Sequence, residues 1–192
     1  MSGLNSFKAV IIGVSAGGLS VLSHLLGALP GQYPLPIAIV QHRMNEPGNT
    51  LESILQEKTK LTVKQADEKE PLRAGHVYIG PPGYHLLIEQ DGTFSLSSDQ
   101  RVNFSIPSID VLFESAADVY RHSLIAILMT GANADGAAGL LKIKKSGGVT
   151  IAQDPAEAEY PVMPQSAINM GAAAHTLKLN EICDFLIKIS RS

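Results

Sequence analysis

A single cysteine, Cys183, stands in 192 residues. One thiol cannot form an internal disulfide or build a thiolate-rich zinc site, so a stapled scaffold and a zinc centre of that kind are both excluded, and a reducing cytoplasm is the expected location. Cys183 falls among Ile182, Phe185, Leu186 and Ile189 at helical spacing, the pattern of a packed, inert side chain. Excess positive charge is also missing. The formal net charge is −3, which leaves no basic stripe for a nucleic-acid partner. The local cluster of Lys142, Lys144 and Lys145 reads as a solvated helix face. Long apolar runs are lacking too: the run 124–129 is far short of the ~20 residues a membrane helix needs. Residues 1–8 show no charged leader before a long apolar stretch, so neither membrane insertion nor a signal peptide is expected. No repeat, low-complexity linker or second core is evident, and residues 1–192 are expected to form one domain.

What is present is alternation. Short β-branched runs give way to helical patterns, which argues for βα units on a parallel sheet and an α/β fold. Strands are expected at 8–12, 37–41, 61–65, 123–129, 149–153 and 176–179. Helices are expected at 19–29, from Asn49 or Thr50 to 58, from Pro107-Ser108 to 120, at 136–145 and 165–170, and after a cap at Asn180. Residues 67–71 read as a polar turn. The runs 85–90 and 93–97 around Asp91-Gly92 form a β-hairpin signal, because that dipeptide favours positive φ.

Ligands of open α/β sheets gather beyond the carboxyl ends of the strands. Three reactive residues fall there. Ser15 lies in Gly13-Val14-Ser15-Ala16-Gly17, matching G-x-S-x-G, where small neighbours let the backbone turn sharply and expose the hydroxyl. The helix that follows offers free N–H groups for an oxyanion, with the N–H of Ala16 as the first candidate. Ser15 could equally sit in a phosphate-binding loop or cap the helix. A dinucleotide fingerprint is excluded, since its middle glycine is Ser15 and the next strand ends in Gln41-His42 with no carboxylate. His42 follows the second strand, and neighbouring parallel strands lie ~4.8 Å apart, so it can reach Ser15. Its alternative is to order its own loop with Arg43 and Asn45. Asp135 follows an apolar strand and could accept the second ring proton of His42, or cap the next helix. His24, His76, His85 and His122 read as structural, with His76 and His85 flanking the hairpin. No histidine pair has metal spacing.

These residues, with Val40-Gln41-His42, Pro107-Ser108-Ile109-Asp110-Val111-Leu112-Phe113, Met129-Thr130-Gly131 and Met163-Pro164, resemble the catalytic domain of the chemotaxis protein-glutamate methylesterase family, CheB, over about residues 9–186. The resemblance implies a doubly wound, mostly parallel sheet with helices on both faces. It also implies a reaction free of metal and cofactor, with Ser15, His42 and Asp135 as nucleophile, base and orienting acid. The oxyanion and substrate contacts would come from Ala16, Gly17, Ala132 and Asn133. The implied substrate is a methyl-accepting chemotaxis receptor, with glutamine deamidation as a second activity through the same intermediate. Relatives often carry an N-terminal receiver domain; this sequence begins seven residues before its first strand, so that control is expected either to be absent or to come from a separate receiver-domain regulator. Asn103-Phe104-Ser105-Ile106 stands where a more basic or histidine-bearing segment is usual, and Arg43 where methionine is common. A binding module without turnover and a small-molecule esterase are the competing readings.

Overall fold

The computed structural model describes residues 7–42 and 50–191; Arg43, Asn45 and Asn49, named above, lie outside them. Among the described residues no helix is long and apolar enough to cross a membrane.

Seven strands make one parallel sheet. They are β1 (Ala9–Val14), β2 (Ile37–Gln41), β3 (Thr62–Gln65), β4 (His76–Ile79), β7 (Leu124–Leu128), β8 (Val149–Gln153) and β9 (His175–Leu177), in the order β3-β4-β2-β1-β7-β8-β9. The chain starts in the middle at β1 and builds outwards in both directions, so the winding reverses there. β5 (His85–Ile88) and β6 (Phe94–Ser97) form the separate antiparallel hairpin.

Alternation along the strands sorts side chains between two cores. Val10, Ile12 and Val14 join Ile37, Ile39, Ile125 and Ile127 beneath α1 (Gly18–Ala28), α2 (Thr50–Gln56) and α6 (Leu179–Ser190). The opposite face carries Ala9, Ala38, Ala126 and Ala152. Those small residues accommodate α3 (Ile109–Tyr120), α4 (Ala137–Lys145), α5 (Val162–Asn169) and the hairpin. The α/β, doubly wound arrangement with helices on both faces is the one expected.

Four details differ from the sequence expectation. β4 has no counterpart in it: this strand slots between β3 and β2, parallel to both, after the non-helical connection 66–75. His76 therefore opens a sheet strand, stacked on Tyr78 at 5.8 Å between ring centroids, and does not flank the hairpin. α5 begins three residues before 165, because Pro161 can enter a helix start and Pro164 lies in the first turn, where a missing N–H does no harm. Asn180 is not the cap of α6. Lys178 holds that position, and its N–H donates to the Glu181 carboxylate at 2.8 Å, while Asn180 accepts a hydrogen bond from His24 at 2.8 Å.

Candidate active site

The three reactive residues leave three adjacent strands at the point where the winding reverses. Ser15 follows β1, His42 follows β2 and Asp135 lies in the loop after β7. Register brings the first two level: Val14 pairs with Gln41, and the next residues are Ser15 and His42. The His42 N–H donates to the Val14 carbonyl at 3.2 Å, which pins the histidine backbone to the end of β1. The loop after β7 is tied in by the Ser15 N–H, which donates to the Thr130 carbonyl at 2.9 Å.

The side chains then touch in series. His42 Nδ1 lies 3.2 Å from Ser15 Oγ, and His42 Nε2 lies 2.7 Å from Asp135 Oδ2. An ionised carboxylate only accepts, so Nε2 carries the proton and Nδ1 is left with a lone pair facing the serine. The aspartate side chain is wholly buried and the histidine side chain nearly so, at 12% exposure. The imidazole is thus fixed from below and reachable from Ser15.

Asp135 does not cap the helix that follows it; Gly136, at φ 92°, occupies that position in α4. It caps a different helix. The N-cap of α3, Ser108, makes no side-chain cap bond. Instead Asp135 accepts from the Ile109 N–H at 2.7 Å, the Asp110 N–H at 3.2 Å and the Ser108 hydroxyl at 2.9 Å. Helix N-terminal N–H groups have no partner within the helix and favour negative charge. With His42 and the Asn103 side-chain amide (3.0 Å), five donors converge on one carboxylate. Burial alone would raise the pKa of Asp135, but bonds from His42, Asn103 and the Ile109 N–H, with the His42 charge, outweigh it and bring it to about 2.

The start of α3 reaches Asp135 because glycine leaves room. A Cβ on Gly13 would collide with the Ile109 side chain, and one on Gly136 would lie 2.6 Å from the same methyl group. His85 supports the arrangement from β5. It is 2% exposed; its Nδ1 accepts the Ser108 N–H at 3.1 Å and its Nε2 faces the Gln100 carbonyl at 3.0 Å.

On the other side of Ser15, an open cleft of roughly 630 Å³ is lined by Ser15, Gly17, Leu19, His42, Lys58 and Glu159, among others. The Ala16 carbonyl accepts from the buried Thr130 hydroxyl at 2.9 Å. Ala16 and Gly17 line this cleft, and among the described residues their N–H groups make no backbone hydrogen bond. Asn133 is beside the histidine: its amide nitrogen is 3.4 Å from His42 Nδ1, and its Oδ1 accepts the Asp135 N–H at 3.1 Å. Ala132 is exposed on the same loop. Asn103, Ser108, Asp110 and Thr130 were given no role by sequence reasoning. Ser108, Asp110 and Thr130 stand inside quoted motifs, whereas Asn103 has no local signal because its partners lie seven and 32 residues away.

The fold is a doubly wound α/β domain whose parallel sheet reverses at β1 and brings a hydroxyl, an imidazole and a carboxylate into series at that point. The chain belongs to the CheB methylesterase family, whose model matches residues 10–186. A relative from Leptospira interrogans is 46% identical over 187 residues, with 97% of each chain aligned. The protein-glutamate methylesterase/protein-glutamine glutaminase of Symbiobacterium thermophilum is 33% identical over 94% of this chain, but the match spans 50% of that longer protein. The crystal structure of the Thermotoga maritima CheB methylesterase catalytic domain superposes with a TM-score of 0.91 at 35% identity, covering 96% of this chain and 99% of that one.

Proposed function

We propose that this chain hydrolyses the γ-methyl esters of glutamate side chains on chemotaxis-type receptors, giving glutamate and methanol, through a covalent Ser15 intermediate. The observation that carries the reading is the unbroken contact series from Ser15 Oγ to His42 Nδ1 and from His42 Nε2 to Asp135. His42 Nδ1 takes the serine proton as Oγ attacks the ester carbonyl, and Asp135 stays ionised, stabilising the imidazolium. The oxyanion rests on the Ala16 N–H, with the neighbouring Gly17 N–H and the Asn133 amide within the same rim. The Ser15 N–H is already committed to Thr130 and takes no part. One such donor is worth about 3 kcal/mol in the transition state. His42 then gives its proton to departing methanol. Water, deprotonated by the same nitrogen, attacks the acyl carbon and releases the carboxylate.

The double name of the Symbiobacterium relative supports a second substrate. A glutamine side chain passes through the same acyl-enzyme, with ammonia leaving in place of methanol.

The decisive measurement is methanol release from methylated receptor membranes, wild type against Ser15→Ala. The variant loses turnover, by about 10⁶-fold where the triad acts as a unit, and keeps its fold by circular dichroism. Retained turnover in Ser15→Ala overturns the covalent route. Rapid hydrolysis of acetate esters with no preference for receptor substrates would point to a small-molecule esterase. Receptor binding without serine labelling by an organophosphonate would point to a silent binding module.

A further inference from the structure

Two carboxylates lie buried at the start of α3. Asp110 is 6% exposed and Asp135 is 1% exposed. Like charges in a water-poor site resist joint ionisation, so one of such a pair tends to hold a proton. Here the proton falls to Asp110. Burial first, together with the charges of Asp135 and Glu114, raises it to about 6 against the Gly139 N–H and Asn103 bonds that lower it. The ionisable groups facing the pair are Glu114 on α3, His42 at the end of β2 and His85 at the start of β5. Among the described residues no lysine or arginine forms an ion pair with either carboxylate.

What stands between them is an amide. Asn103 Nδ2 donates to Asp110 Oδ2 at 2.7 Å and to Asp135 Oδ1 at 3.0 Å. An amide nitrogen has two N–H bonds and no acceptor capacity, so it gives one hydrogen to each partner. The backbone is shaped to deliver it. Val102 and Ser105 exchange two backbone bonds (3.1 and 2.9 Å) across a two-residue turn, with Asn103 at φ 50° and Phe104 at φ 63°. Such a turn normally takes glycine at its second central position. An aromatic residue in this conformation is strained, and Phe104 makes no compensating burial at 95% exposure. The turn is therefore held from elsewhere, and the Asn103 side chain supplies two anchors.

We propose that Asn103 is a positioning residue for the hydrolysis: its amide nitrogen bridges Asp110 and Asp135, so that both carboxylates tolerate ionisation and Asp135 remains aimed at His42. The proposal rests on the reading of Ser15, His42 and Asp135 given above. It assigns to the turn 102–105 a role in setting the acid limit of activity.

The test is kcat/KM for methanol release between pH 5 and 9 on the full chain, for wild type, Asn103→Ala, Asp110→Asn and the double variant. Asn103→Ala moves the acid limb up by about one pH unit, a roughly tenfold loss at pH 6 that shrinks towards pH 8. In the Asp110→Asn background the same change causes no such movement, because the second negative charge is gone. A uniform loss at every pH, equal in both backgrounds, would leave Asn103 a scaffold residue and overturn the proposal; so would no change in either. If Asn103→Ala fails to fold, Asp110→Asn alone must lower the acid limb relative to wild type. Carbon-13 NMR titration of aspartate carboxyls provides a readout without turnover: the upper titration of the pair rises in Asn103→Ala and vanishes in Asp110→Asn. Inactive wild type with that NMR result refutes the hydrolytic reading and spares the bridge, whereas active wild type without it does the reverse.

Discussion

Asp135 and Asp110 sit within reach of one amide, and their pKa values are displaced in opposite directions, so they act on the pH dependence of stability in opposite ways. Asp135 lies below its ordinary value, at about 2. Its contribution is complete above pH 4 and is lost as pH falls towards 2. Asp110 lies above its ordinary value, at about 6. The folded chain therefore binds more protons there than the unfolded chain between pH 4 and 6, and stability declines as pH rises through that window. The decline amounts to at most about 3 kcal/mol for a two-unit shift. Urea midpoints measured at pH 4, 5, 6 and 7 should show this fall in wild type and its disappearance in Asp110→Asn. Asp135→Asn is expected to cost activity by about 10⁴-fold, as removal of the orienting charge does in serine hydrolases. It also lowers the thermal midpoint, because an amide offers one acceptor oxygen where five donors converge.

At the scale of elements, α3 is the piece that joins scaffold and chemistry. Its first turn supplies two N–H groups to Asp135, and its buried Ile109 presses on β1 where Gly13 leaves room. Gly13→Ala would push the start of α3 away from the sheet. Overpacking of this kind costs about 1–3 kcal/mol. Methanol release should fall further than stability alone explains, since the displaced N–H groups are ligands of Asp135. A variant that keeps wild-type kcat while losing stability would show that the helix start can shift without disturbing the carboxylate. Thr130 plays a comparable part on the other side. Its hydroxyl accepts the Tyr160 N–H at 2.9 Å and donates to the Ala16 carbonyl, so it ties the loop 129–136 to the turn that carries Ser15.

Over the whole molecule, β1 lies between β2 and β7 with both of its faces covered, whereas β3 and β9 form the two edges. Amide hydrogen exchange should therefore be slowest in β1, β2 and β7 and faster by orders of magnitude in β9, which is mostly exposed. Much of this arrangement was legible in the sequence. Ser15, His42 and Asp135 each follow an apolar run, and the rule that ligands collect beyond strand ends singled them out. The hairpin was legible because Asp91-Gly92 has a strong local preference. β4 was not, because its four residues open with His76 and no helix pattern separates them from β3, so no crossover announced a second parallel strand. Asp135 as a cap for α3 was equally hidden, since cap signals are read from neighbours and this one spans 26 residues. The bridge made by Asn103 belongs to the same class of long-range contact.

The double duty of Asp135 has a practical consequence. The carboxylate proposed to orient the base also closes the end of a helix, so in that reading competence and assembly are a single event, and damage to one is damage to the other. A trap for capturing the proposed receptor substrate is best built by altering Ser15, whose hydroxyl meets only His42 among the described residues, because an edit at the buried carboxylate would confound lost chemistry with a loosened frame.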